Sequence, residues 1–342
     1  DARAVRCDDN TASREAAFAR CDYMTTFDTL VFAPGESQKT FTIPLVDDGH
    51  DEPREFVQLR LTTPAGATLA APSSALLLIN DNDEADQPNP VDAHNFFVRQ
   101  HYLDFLSREP DADGLAAWTG VLAGCANAFN TDANNPAALC DRNVVSSSFF
   151  RSTEFELKGY FVYRFYRVAF NRRPTYDEFV ADMRRVTGQT ADEVYARRRA
   201  FAEAWVLRPE FLALHDAKTN AAYVDSLLGR YGLTAVNTAD PANPDGDTLQ
   251  RFTRDELVAA LDAAPQRLTR AQVLRAVVQS REIETTEYNG AFVAMQYYGY
   301  LRRAPETDGY EAWLLVITRG DGYRVMVNGF MNSTEYRLRF GK

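Results

Sequence analysis

The chain has 342 residues, of which 25% are charged and 45% hydrophobic, with a formal net charge of -11. That composition supports a packed core and excludes a disordered chain, and the acidic balance argues against nucleic acid as the main partner. The charge is uneven: residues 1–86 hold 16 acidic and 7 basic side chains, residues 87–342 hold 32 and 30. The imbalance therefore belongs to the first quarter and asks for a local explanation. The longest apolar runs, Ala75 to Ile79 and Trp313 to Ile317, are far too short to span a bilayer. No basic start followed by an apolar stretch opens the chain, so no leader is expected in it.

The four cysteines fall in two local pairs, Cys7 with Cys21 and Cys125 with Cys140. Four cysteines allow three pairings. The local one is expected, because each pair brackets a loop-like stretch: Asp8-Asp9-Asn10 in one, Asn130 to Pro136 in the other. Closing a loop of this length contributes roughly 3 kcal/mol in the chain-entropy model. Disulfides imply an oxidising compartment, hence a secreted or cell-surface protein; four buried thiols are the alternative. The spacings do not make a zinc site, and His50, His94, His101 and His215 form no ligand cluster.

Residues 1–83 alternate as strands do. Thr29 to Phe32 precede the turn Ala33-Pro34-Gly35-Glu36, followed by Lys39 to Val46, Phe56 to Leu61 and Ala75 to Ile79. Short β-rich runs parted by turn residues predict an antiparallel sandwich. The polar stretch 84–92, with Pro88 and Pro90, reads as a linker. From Ala93 the periodicity becomes helical, and residues 93–342 predict an all-α domain of about ten helices. The fold class is thus multidomain, a partial β-sandwich followed by an all-helical repeat domain.

Three acidic stretches fall where sandwich loops meet at one end: Asp22-Tyr23, the run Asp47 to Glu55, and Asp81-Asn82-Asp83. Carboxylates gathered there repel unless a cation compensates, and Ca²⁺ takes six to eight oxygen ligands. The plainer reading is solvated loop acids. The same stretches, with Thr29 to Glu36, Ile43 to Asp48, Glu52 to Phe56 and Ile79 to Asp83 in this order and spacing, resemble the Calx-beta domain over residues 3–83. The resemblance implies an immunoglobulin-like sandwich able to bind Ca²⁺ through acids at one end, with Asp22, Asp47, Asp48, Glu52, Asp81 and Asp83 as the candidate ligands by position. It also implies about two further strands ahead of Ala4-Val5-Arg6. A sandwich lacking them exposes an open edge that a partner strand fills, which motivates self-association by strand complementation.

The helical region repeats itself. Phe97, Val98, Tyr102, Leu106, Arg108, Pro110, Asp113, Gly114 and Trp118 recur at an offset of 195 as Phe292, Val293, Tyr297, Leu301, Arg303, Pro305, Asp308, Gly309 and Trp313. Each copy (96–155 and 291–340) closes on a second signal, Ser152-Thr153-Glu154-Phe155 and Ser333-Thr334-Glu335-Tyr336. A weaker copy starts at Phe161-Val162 and closes at Arg208-Pro209-Glu210-Phe211; a fainter one runs from Tyr223-Val224 to Ser280. The unit reads as helix, corner, helix: Pro110 ends the first helix, Asp113 caps the second, and Arg108 pairs with Asp113 across the turn. Aromatic stripes such as Phe161, Phe165, Tyr166 and Phe170, or Tyr297, Tyr298 and Tyr300, read as core, with a ligand site as the alternative. The pattern resembles the bacterial domain of unknown function 4214, distantly similar to phycobilisome linkers; that implies extracellular interaction roles and brings no catalytic residues. The end at Gly341-Lys342, just past the last signal, is expected to be a natural C-terminus.

Two further features read as surface: the acidic loop Asp240 to Asp247, where Arg254 occupies the place of an EF-hand glutamate, and the solvated run Arg197-Arg198-Arg199. No nucleophile elbow, phosphate loop or zinc-protease motif is present. The sequence thus predicts a secreted, non-enzymatic structural or adhesive protein of the bacterial surface or extracellular matrix, in one form a self-assembling fibre subunit. The alternative is a calcium-dependent ligand-binding or adhesin module without self-assembly.

Overall fold

The computed structural model describes residues 7, 16–27, 29–84, 87–132, 140–188, 190–320 and 322–342. Expectations for Ala4 to Arg6, Asp8 to Asn10 and the second half of the Asn130 to Pro136 loop lie outside them. The chain divides into two compact units, one of residues 1–149, 299–303 and 322–342, the other of 150–298 and 304–321. A β part precedes a helical part, as the change in periodicity predicts.

In the first unit, strands β1 (Glu55–Arg60) and β2 (Ser74–Ile79) pair antiparallel, with Glu55 opposite Ile79 and Arg60 opposite Ser74. Phe56 accepts a hydrogen bond from Ala17 N (3.1 Å), and the segment around Leu45 binds Tyr23 through Met24 N to Pro44 O (2.8 Å) and Val46 N to Asp22 O (2.9 Å). The runs Thr29 to Phe32 and Lys39 to Ile43, expected as strands, form no ladder among the described residues. Val31 and Phe32 stay 70% and 52% exposed, so no neighbouring strand or layer covers them. Cys7–Cys21 and Cys125–Cys140 are both bonded, with Cα separations of 5.4 Å in each. The stretch expected as a linker includes a 3-10 turn, Pro90–Asp92, and a buried Asn89 that donates to Arg337 O and Gly341 O.

The helical part of this unit comprises His94–His101, which runs on as a π-helical turn Tyr102–Leu106, then Ala112–Ala123, Arg142–Phe150, Tyr323–Met331 and Thr334–Arg337. The second unit holds Phe161–Phe170, Tyr176–Val186, Ala191–Trp205, Pro209–His215, Asn220–Leu228, Arg254–Asp262, Arg270–Val278, Thr307–Arg319 and most of Arg281–Tyr300. A small ladder unannounced by the helical periodicity, β3 (Ala235–Thr238) with β4 (Gln250–Thr253), sits among them.

The geometry accounts for the repeat residue by residue. The residue before the motif arginine adopts the left-handed conformation in three copies: Ser107 (φ 55°), Asn171 (φ 56°) and Arg302 (φ 46°). That single reversal stops the first helix and turns the chain. The arginine that follows stacks on the tyrosine six residues before it, Arg108 on Tyr102 at 4.9 Å and Arg172 on Tyr166 at 5.0 Å. It also clamps the glutamate of the closing signal: Arg303 holds Glu335 through two bonds of 2.7 and 3.0 Å, and Arg172 holds Glu210 at 3.0 and 2.8 Å. The serine of that signal is a helix cap, Ser152 for Phe155 N and Ser333 for Tyr336 N.

The expected role of Asp113 is corrected. The second helix starts two residues earlier than assumed, so Asp111 is its cap, accepting from Gly114 N at 2.7 Å, and Arg108 faces Asp111 at 3.6 Å. Asp113 lies in the first turn, where its charge suits the helix dipole. Gly114 and Gly309 are glycines for contact: a Cβ on either would lie 2.4 Å from a tyrosine hydroxyl, Tyr102 or Tyr297. Two surface expectations are also corrected. Arg198 is buried, because its guanidinium stacks on Phe161 at 4.3 Å. Asp245 anchors the 240–247 loop through a close pair with Arg275 and a 3.6 Å pair with Arg199.

The aromatic stripes are core. Phe161, Phe165, Tyr166, Tyr298 and Tyr300 are all buried, and Phe170 stacks on Trp205 at 5.1 Å. Inside the first unit His101 is fully buried in a polar chain. Its Nδ1–H donates to Phe97 O (2.7 Å), its Nε2 accepts from Ser146 Oγ (2.7 Å), and Ser146 in turn meets the Tyr300 hydroxyl. At the matching place of the C-terminal copy, Gln296 makes the same bond to Phe292 O.

Two outcomes follow. Gly114→Ala should cost about 1–3 kcal/mol in urea unfolding through the Tyr102 clash. Gly120→Ala, where a Cβ meets nothing in the same helix, should stabilise by up to about 1 kcal/mol. Burial pushes His101 down to about 4, against 6.5 unfolded. Between those values the unfolded chain binds the extra proton, so this contribution is complete above pH 6.5 and is lost as pH falls toward 4. It amounts to about 3 kcal/mol. His101→Gln, which copies Gln296, should flatten the acid limb of a melting-temperature profile; an unchanged limb would assign acid lability elsewhere.

Candidate metal centre

The acids of the first quarter converge. Asp22 follows Cys21, which is tied to Cys7, and its backbone carbonyl is fixed by Val46 N. Its carboxylate accepts from Phe18 N at 2.5 Å and is buried. Glu55 opens β1 on the same face as Val57, and both point inward. The register sets Glu55 opposite Ile79, so the segment Asn80 to Asp83 leaves β2 beside it. Asp81 braces that corner, accepting from Glu52 N at 2.9 Å and Asp83 N at 3.2 Å, while Arg54 binds Asn80 at 3.0 Å.

The loop between the two acidic stretches is held from its other side. Gly49 N donates to Phe340 O (2.8 Å) and the buried His50 ring bonds Leu338 O (2.9 Å). A side chain at Gly49 would press on Pro90 and Phe340, so glycine is required for this approach. His50 N then donates to Asp48 at 2.9 Å.

The result is a small open pocket that all six residues singled out by sequence line: Asp22, Asp47, Asp48, Glu52, Asp81 and Asp83. Carboxylate oxygens of Asp22, Glu52 and Glu55 lie within 4.8 Å of one another. Glu55 is the member that the sequence reading missed. Its signal was the alternation of β1, which puts position 55 on the inward face with Val57 and Leu59. Among the described residues, no lysine, arginine or histidine lines the pocket.

The electrostatics follow from that inventory. Burial, reinforced by Asp22, Asp83 and Asp81 and opposed by the His50 N–H, pushes Asp48 up to about 8. Burial and the charges of Asp81, Asp47 and Asp51 push Asp83 up to about 6. Burial first, and the neighbouring carboxylates second, thus disfavour the charged form of both groups.

A hard cation fits this donor set. Two oxygens on opposite sides of Ca²⁺ lie at most about 5 Å apart, given bond lengths near 2.4 Å. The oxygens of the triad, all within 4.8 Å of one another, fall inside that span. No curated protein and no solved structure matches the chain. The family model described as the Calx-beta domain matches residues 3–83, the stretch that supplies every carboxylate of this cavity.

Proposed function

We propose that the β part is a calcium-binding module of a secreted or surface-exposed, non-enzymatic structural or adhesive protein. The observation that carries this reading is the inward cluster of Asp22, Glu52 and Glu55, in a cavity with seven carboxylates and no basic side chain, inside a Calx-beta-like stretch. Asp22, Glu52 and Glu55 would hold the ion, with Asp48 and Asp83 giving up their protons as it enters. Two disulfides support an oxidising compartment. The likeness of the helical copies to the domain of unknown function 4214 rests on their motif residues and supports an interaction role. The Ser146–His101 pair, which resembles part of a catalytic dyad, lies fully buried and serves packing.

Calcium should raise the melting temperature, by an amount equivalent to about 2.7 kcal/mol at a hundredfold excess over Kd, and EDTA should reverse it. Glu55→Gln should erase that calcium gain while raising the melting temperature in EDTA, since it removes one repelling charge. A calcium-independent melting curve would remove the metal role.

The exposed apolar side chains of the β part favour a second reading, self-association. Leu76 and Leu78 of β2 are 64% and 49% exposed, and Val31 and Phe32 are exposed too. Covering them with a strand of a second copy would bury that surface and extend the sheet. Sedimentation velocity should show concentration-dependent assembly that Leu76→Lys with Leu78→Lys abolishes. A wild-type protein that stays monomeric at the highest soluble concentration would exclude it.

A further inference from the structure

Three of the four helical copies share a buried device that no motif reading exposed. An arginine ten residues before the closing signal lays its guanidinium on the first aromatic of its copy: Arg142 on Phe97 at 4.5 Å, Arg198 on Phe161 at 4.3 Å, Arg270 on Tyr223 at 4.9 Å. Two of them reach the backbone five residues before that aromatic, Arg142 to Asp92 O at 2.6 Å and Arg270 to Lys218 O. In the copy of Arg270 the guanidinium is fully employed, with Nη1 on His215 O (2.8 Å) and Nε on Asn220 Oδ1 (3.2 Å).

The Arg142 copy differs. Histidine, His94, stands where that copy has Asn220, and the Nε of Arg142 has no hydrogen-bond partner among the described residues, although Arg142 is only 7% exposed. A second ring, Phe129, covers the guanidinium at 4.1 Å. Beside it the Tyr336 hydroxyl, on a side chain 1% exposed, is also buried without a partner and within electrostatic range of Arg142. The residues of both groups line one small pocket, with Asn130, Asn332 and Met331. Two arginines share one carboxylate here. Arg337 takes Asp92 through two bonds of 2.8 and 2.9 Å, leaving Arg142 Nη1 at 3.9 Å from it. Burial lowers Arg142 to about 10, as expected of a cation whose charge is not fully met.

A buried guanidinium N–H and a buried phenol that lack partners are costly to leave unsatisfied. An acceptor bearing one negative charge would answer both and balance the second arginine. We infer that this cavity binds the carboxylate of a small acidic ligand, Arg142 Nε and the Tyr336 hydroxyl donating to its oxygens and Phe97, Phe129 and Met331 enclosing the attached carbon. Acidic sugars and acidic amino acids share this chemistry.

The test uses the full chain. Sodium acetate, glucuronate and N-acetylglutamate are titrated in turn, with sodium chloride as the reference, and followed by calorimetry and by the NMR signal of the Arg142 Nε–H. The carboxylates should move that signal, and Tyr336→Phe and Arg142→Lys should each weaken binding about tenfold or more. Arg270→Lys, which alters the satisfied counterpart, should leave it unchanged. Tighter binding of glucuronate or of N-acetylglutamate would identify the source of the carboxylate. Chloride acting as well as the carboxylates, no response to any of them from folded protein, or wild-type affinity in both cavity variants would overturn the proposal.

Discussion

Asp104 is the charge on which the first unit depends. It sits in the π-helical turn at the end of the first helix, 1% exposed in its side chain, between Arg302 at 2.9 Å and Arg339 at 3.0 Å, both equally buried. Burial alone would raise its carboxyl; the two guanidinium charges override that and hold it below the ordinary range. One carboxylate cannot satisfy two arginines, so their remaining donors turn to backbone carbonyls. Arg302 gathers Ala19 O at 2.7 Å with Arg20 O and Tyr23 O, and Arg339 takes Tyr300 O at 2.6 Å. The segment so captured is the one that delivers Asp22 to the acidic cavity. Removing one member of such a buried triad leaves an unmatched charge, a loss of about 3–5 kcal/mol in comparable cases. The β part therefore takes its position from ion pairs in the helical part, and the acidic pocket inherits its geometry from them.

The repeat achieves its regularity by different means. Three copies reuse a left-handed residue, two show an arginine stacked on a tyrosine and two a glutamate clamp, and the copies diverge where one of these is diverted. Arg302 is the plainest example. Its backbone performs the turn that Ser107 and Asn171 perform elsewhere, while its side chain has been drawn into the Asp104 triad. Glu335 likewise serves the Arg303 clamp of its own copy and also accepts Arg20 from the β part at 2.6 Å. A repeated element can take on such duties because its helix-ending function resides in the backbone and leaves the side chain uncommitted.

These distinctions mark what could be read beforehand. The 195-residue offset and the paired cysteines were legible because each is a local or periodic pattern, and the six acidic candidates came from the Calx-beta resemblance. Glu55 was hidden because its role depends on strand register, which places it opposite Ile79, and not on the acidic run it ends. The cap at Asp111 was misassigned to Asp113 by two residues, the margin within which helix starts are set by backbone geometry. The strands expected around Val31 and Phe41 followed from alternation alone, and alternation does not supply the neighbour that a ladder needs. Arg142, Arg198 and Arg270 escaped because nothing in their neighbours distinguishes an arginine that stacks inward from one that faces water. Arg198 even lies in a basic triplet that reads as solvated.

The uneven charge noted at the outset has a structural sense in this light. Through much of the helical part, acids are answered one by one: Asp182 by Arg208, Glu287 by Arg167, Asp141 by Arg324. Such pairing keeps residues 87–342 near neutrality. At the acidic end of the β part seven carboxylates face one another with no base among them. Acids at Asp48 and Asp83 respond by keeping protons, which lowers the repulsion without adding any attraction. A divalent cation does both: it replaces those protons and draws the carboxylates together. On the calcium-binding reading proposed above, an arrangement that is costly without the ion would gain correspondingly on binding it.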